Sequence, residues 1–193
     1  MKHITVSLFC LMLILMMSPL REAAELYDEV IRVHILAQDD TEEAQGVKLL
    51  VRDRVLIEAE KLLAGCTDRA EAARVIEANT EHLARIADAV LRENGMDYGA
   101  SVALGYEYYD RRDYEGFSLP AGTYHSLRIS LGDAKGKNWW CVLFPTLCLR
   151  PAVTPAVMVD EGLSEVQADT VSTASGYTLR FRVLDWFAAL WKR

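Results

Sequence analysis

Cys141 and the histidines at positions 34, 82 and 125 are the side chains here that could pair as nucleophile and base, and the chemistry would be that of a thiol hydrolase. The surroundings of Cys141 oppose it. The thiol sits inside Trp139-Trp140-Cys141-Val142-Leu143-Phe144, and apolar neighbours raise a thiol pKa, whereas a nucleophilic cysteine needs it lowered. His34 and His125 fall on predicted strands and His82 on a predicted helix, none within a recognised catalytic motif. His34, Asp39 and Asp40 lack the paired spacing of zinc or calcium ligands. No phosphate cradle, serine nucleophile elbow or spaced carboxylate pair occurs. The sequence therefore assigns no catalytic residue, no metal site, no cofactor and no small-molecule substrate.

Cys141 has a second use. With Cys148 it is the natural bridge of an exported protein, and closing that loop stabilises by roughly 2.5 kcal/mol on the chain-entropy model. Seven extended residues span about 23 to 25 Å, while bridged Cα atoms lie about 5.5 Å apart, so a bridge requires the chain to fold back at Phe144-Pro145-Thr146. Two inert buried thiols are the alternative. Cys66 reads as a small apolar filler at a helix end.

The elements that position this stretch follow from composition and period. The chain has 193 residues, 51% of them hydrophobic, which suffices for one domain with a core. A net charge of -7 opposes a general nucleic-acid binder, which needs a basic face. Lys2 and His3 precede an apolar run from Ile4 to Met17, closed by Ser18-Pro19, so residues 1–24 read as a signal peptide, with an uncleaved anchor or a buried helix as alternatives. Export is the expectation.

Ile31, Val33 and Ile35 alternate with Arg32 and His34, giving a half-buried strand between Glu29 and Gln38. Asp40 and Glu43 sit at capping-box spacing before a helical stripe of Val47, Leu50, Val51, Val55, Ala59, Leu62 and Leu63, with Lys48, Arg52, Glu58 and Lys61 opposite. Asp68 and Glu71 repeat the cap before a second stripe running to Asn94-Gly95. The two helices form a hairpin about Gly65-Cys66-Thr67. Next, Tyr98, Ala100, Val102, Leu104, Tyr106 and Tyr108 alternate with Gly99, Ser101, Ala103 and Gly105, whose small face invites close approach of something bulky. Asp110 to Ser118 reads as a charged loop, and Leu127, Ile129 and Leu131 mark another strand. In the strand from Asn138, Trp139, Cys141 and Leu143 face one way and Trp140, Val142 and Phe144 the other.

Past Arg150 periodicity is lost, and residues 151–179 read as a flexible linker. Residues 180–193 form an amphipathic helix whose Trp186, Phe187, Leu190 and Trp191, flanked by cations, suit a membrane surface. The fold class is α+β: a small, mostly antiparallel sheet in residues 29–150 with a two-helix hairpin on one face. That hairpin covers one face only, so one of the two tryptophans needs another partner. Asn138, Trp139, Trp140, Phe144 and Pro145 are the candidate partner-binding residues.

Val30 to Ala37, Leu49 to Leu56 around Val51-Arg52-Asp53, Leu119 to Tyr124, Asn138 to Cys148 and Phe181 to Trp186 resemble the stage II sporulation protein R family of endospore-forming bacteria. The chain departs from the usual family pattern at Gln38-Asp39, Tyr109 to Arg112 and Thr146. The resemblance implies a secreted signal in the space between the forespore and mother-cell membranes. Its partner would be a membrane-embedded aspartic protease that processes the precursor of the mother-cell sigma factor. An exported cysteine-dependent hydrolase of the cell wall or intermembrane space is the competing reading.

Overall fold

The computed structural model describes residues 5–9, 12, 27–114, 116–147, 155–160, 163 and 165–172. Cys148, the closing segment 180–193 with Trp186, Phe187, Leu190 and Trp191, and most of the leader lie outside them.

The chain is α+β. Strand β1 (Ile31–Leu36) is followed by α1 (Glu42–Leu63), α2 (Arg69–Ala78) and α3 (Thr80–Glu93). Strands β2 (Ala100–Tyr109), β3 (Arg112–Tyr114), β4 (Phe117–Leu119), β5 (Gly122–Leu131) and β6 (Asn138–Phe144) precede two short helices, α4 (Pro155–Asp160) and α5 (Glu165–Val171). The main sheet has the order β2-β5-β1-β6, with β1 parallel to β5 and the other two pairings antiparallel. The predicted charged loop is a hairpin instead: Arg112 pairs with Leu119 and Tyr114 with Phe117 in a second, two-stranded sheet.

The caps differ in part from expectation. Thr41, not Asp40, caps α1, its hydroxyl accepting from the Ala44 amide at 3.2 Å. Asp40 instead accepts from the Lys137 amide at 2.6 Å and so ties the start of α1 to the turn before β6. Asp68 caps α2 as its spacing predicts. The second helix, expected unbroken to Asn94, breaks at Asn79, whose side chain donates to the Val75 carbonyl at 2.8 Å and competes with the helical ladder.

Helices α1 to α3 cover one face of the sheet. Ile31, Val33 and Ile35 of β1, Leu127, Ile129 and Leu131 of β5 and Leu143 of β6 meet Val51, Val55, Ile76, Leu83 and Leu91 in the main core. A register shift between Ile31 and Arg32 places two β6 residues against one of β1, so Phe144 joins Leu143 in this core and leaves the face of Trp140 and Val142.

The other face of the sheet carries a second cluster. Val30, Tyr109, Tyr124 and Val142 meet Phe117 and Leu119 of the hairpin, together with Met158, Leu163, Ala168 and Val171. Two segments of the stretch read as a linker are thus helical, and Met158 is wholly buried. With both faces covered, β1 is a central strand and not a half-buried one: Arg32 is 0% exposed. Lys48, expected on the solvent side of α1, is also buried, its ammonium donating to the Lys137 carbonyl at 2.9 Å and to Gln45 at 2.6 Å.

Candidate functional site

The second face of the sheet holds a polar network framed by aromatic rings. Strand alternation puts Arg32 and His34 of β1, Glu107 and Tyr109 of β2, Tyr124, Ser126 and Arg128 of β5 and Trp140 of β6 on one side. Glu107 is its centre. Its carboxylate lies 3.2 and 3.4 Å from His34 Nδ1, accepts from the Ser126 hydroxyl at 2.8 Å and pairs with Arg128 Nη1 at 3.1 Å. Burial works to raise the Glu107 pKa, but the hydrogen bonds from His34 and Ser126 and the charges of His34 and Arg128 prevail and lower it to about 2. The Tyr109 hydroxyl reaches Ser126 at 2.5 Å and Glu107 at 3.2 Å, and burial pushes its pKa up.

This order of contacts does not build a nucleophile. In a hydrolytic triad the histidine stands between hydroxyl and carboxylate, whereas here Glu107 stands between Ser126 and His34. The Ser126 proton goes to a carboxylate held ionised, which is a weak base. Cys141 is no better placed: it packs on the helix-covered face, and His34, opposite Trp140 in the register, points to the other. His125 stacks on Tyr106 at 4.8 Å and His82 meets Glu58 at 3.1 Å.

The tryptophans separate as alternation requires. Trp139 packs against the main core with the Arg52 guanidinium 5.2 Å from its ring. Trp140 joins the second cluster, stacked on His34 with centroids 5.4 Å apart and Arg112 lying 3.6 Å over its ring. Both are half-buried, and Asn138 beside them is exposed. Phe144 and Pro145 are buried and present no surface to a partner. Among the described residues nothing bulky packs on the small face of β2: Ser101 and Ala103 are exposed, and a Cβ at Gly105 would meet nothing within 4 Å. Tyr106 and Tyr108, whose alternation puts them with Leu104, are 68% and 69% exposed.

Sequence reasoning missed Glu107, Ser126, Arg128, Arg112 and the burial of Arg32. A usable signal was present. Arg32 and His34 are the polar positions of a strand flanked by strands that carry Tyr124 and Trp140 at matching alternate positions, with Tyr109 one strand further out, and aromatic neighbours cover a polar strand face.

The family model described as stage II sporulation protein R matches residues 27–154, which span β1 to β6. The chain belongs to the stage II sporulation protein R family. Among curated proteins, stage II sporulation protein R of Bacillus subtilis (strain 168) is 36% identical over 121 residues, covering 63% of this chain. The match spans about half of that relative, 54% of its length. No solved structure matches the chain. The matched region holds the whole Glu107 network and both tryptophans.

Proposed function

We propose that this member of the stage II sporulation protein R family is an exported, non-enzymatic signal. It acts in the space between the forespore and mother-cell membranes and activates a membrane-embedded aspartic protease, which then processes the precursor of the mother-cell sigma factor. Family membership supports the sporulation role. The observation that carries the binding role is Trp140: a half-buried ring gripped by His34 and Arg112, next to exposed Asn138, at the edge strand of the sheet. Aromatic and arginine side chains so placed are the residue types that dominate interface energies. The C-terminal segment with Trp186 and Trp191 would add contact with the membrane surface near the protease.

Co-expression of this chain with the protease and its pro-sigma substrate tests the reading. Processing that depends on the chain is the expected result. Cys141→Ala should process as the parent does at temperatures where it is folded. Loss of processing in that folded variant would favour the cysteine hydrolase and remove the activator reading.

A further inference from the structure

Arg32 is wholly buried, yet among the described residues no carboxylate pairs with it. Its Nη2 donates to the Tyr114 hydroxyl at 2.5 Å, and its Nε and Nη1 have no hydrogen-bond partner among the described residues. The rings of Tyr109 and Tyr124 lie 3.8 and 4.9 Å from the guanidinium carbon. They attract the cation by their faces but offer its N–H groups no acceptor. A guanidinium taken out of water with donors unmet is costly, and the cost is removed when a carboxylate arrives in the plane of the fork.

The surroundings specify the charge of that arrival. His34, next but one along β1 on the same side, leaves its Nε2 buried without a partner among the described residues. Arg112 and Arg128 add two cations to this face. Glu107 is already engaged by His34, Ser126 and Arg128 and does not reach Arg32. A chain of net charge -7 thus gathers cations on one sheet face.

We infer that Arg32 is the receptor for a side-chain carboxylate on an acidic segment of the protein partner, and that Tyr114 is the plug this carboxylate displaces. The inference rests on the activator reading and names the chemistry of its partner. Tyr114 is half-buried where Arg32 is wholly buried, and it ends a three-residue strand two positions before Gly116, which has φ +90°. Displacement exchanges a neutral acceptor for a charged one, and charge-assisted bonds to arginine are about twice as strong as neutral ones. A carboxylate fits better than a phosphate, because one guanidinium walled by tyrosine rings matches a planar single charge and supplies too few donors for a tetrahedral double charge. The plug is also linked to Trp140. Arg112, on the same short strand as Tyr114, lies on the Trp140 ring, so a partner that takes this ring frees β3 and loosens Tyr114.

Nitrogen-15 NMR of the full chain reads the Arg32 Nε–H directly. The probes are a blocked Glu-Leu-Glu tripeptide, its Gln-Leu-Gln analogue and inorganic phosphate. Tyr114→Phe keeps the ring stacked on Phe117, 4.7 Å away, and removes only the competing hydroxyl. The expected result is that the acidic tripeptide shifts the Arg32 resonance, with affinity at least tenfold higher in Tyr114→Phe than in the parent. The glutamine analogue and phosphate should leave the resonance in place at the same concentration. An unmoved resonance in both proteins, or an equal shift with the analogue or with phosphate, would overturn the inference. Arg32→Lys, with its fold checked by circular dichroism, should lose both peptide binding and pro-sigma processing. If Arg32→Lys processes like the parent, the partner assignment fails while the activator reading stands. If the parent itself fails to support processing, that reading fails, and the inference about its partner fails with it even if the tripeptide binds.

Discussion

His34 and Trp140 face each other across the β1–β6 register and stack with their planes 20° from parallel. The contact joins two halves of one relay. Glu107 holds the far side of the imidazole and Arg112 the far side of the indole, so side chains of β2, β1, β6 and β3 touch in sequence across the sheet. Adjacent Trp139 has no part in this relay, because alternation sends it into the helix-covered core.

The Glu107 carboxylate makes the fold sensitive to acid. Its folded pKa of about 2 lies below the ordinary 4.5, so the unfolded chain binds the extra proton between those values. The stabilisation is complete above pH 4.5 and is lost as pH falls through 2. Glu107→Gln should lower stability by on the order of 3 kcal/mol at pH 6. The gap between parent and variant should close by pH 2, as measured by urea titration at each pH. A gap that is constant with pH would mean that the carboxylate charge contributes nothing.

Gly136 lies where the turn into β6 crosses the end of β1. Its amide donates to the Ala37 carbonyl at 2.9 Å, and a Cβ there would sit 2.1 Å from the Asp39 backbone oxygen. Backbone cannot swing away as a side chain can, so Gly136→Ala should cost roughly 2 to 3 kcal/mol by overpacking. Thermal unfolding measures it, with Gly105→Ala, which meets open space on an edge strand, as the control expected to change little.

Much of this fold was legible from period alone. The stripes Val51-Val55-Ala59 and Leu83-Ala87-Val90 are core, the cap at Asp68 forms, and Trp139 and Trp140 part to opposite faces. The failures share a physical cause. Arg32 looked solvent-facing because a charged residue at an alternate strand position normally is, and only the β3–β4 hairpin, whose Tyr114 lies 82 positions along the chain from Arg32, together with β2 and β5, supplies the tyrosines that cover it. Phe144 changed faces through a bulge, which shifts side-chain direction without a sign in local composition. Helices of six and seven residues carry too few turns for a helical stripe to emerge, so α4 and α5 read as linker. Glu107 was hidden for a similar reason: its partners His34, Ser126 and Arg128 come from two other strands.

The cover over the second face extends past residue 154. Met158, Leu163, Ala168 and Val171 pack with Val142, Leu119 and Leu147, and burial of a side chain the size of Met or Leu contributes about 1.5 to 3 kcal/mol. A chain ending at residue 154 should therefore be less stable by at least about 3 kcal/mol than one ending at residue 172, and should bind a hydrophobic dye. Identical melting of the two chains would show that α4 and α5 add nothing to the fold.

The most direct measurement of the central claim compares Trp139→Ala and Trp140→Ala for stability and for pro-sigma processing in the same host. Trp139 completes the main core, so its loss should cost roughly 3 kcal/mol, with processing falling only as far as the folded fraction falls. Trp140 is held between His34 and Arg112, and the proposed function makes it the partner contact, so its loss should cost about 1 kcal/mol and abolish processing by a protein that is still folded. Full processing by folded Trp140→Ala would contradict the account.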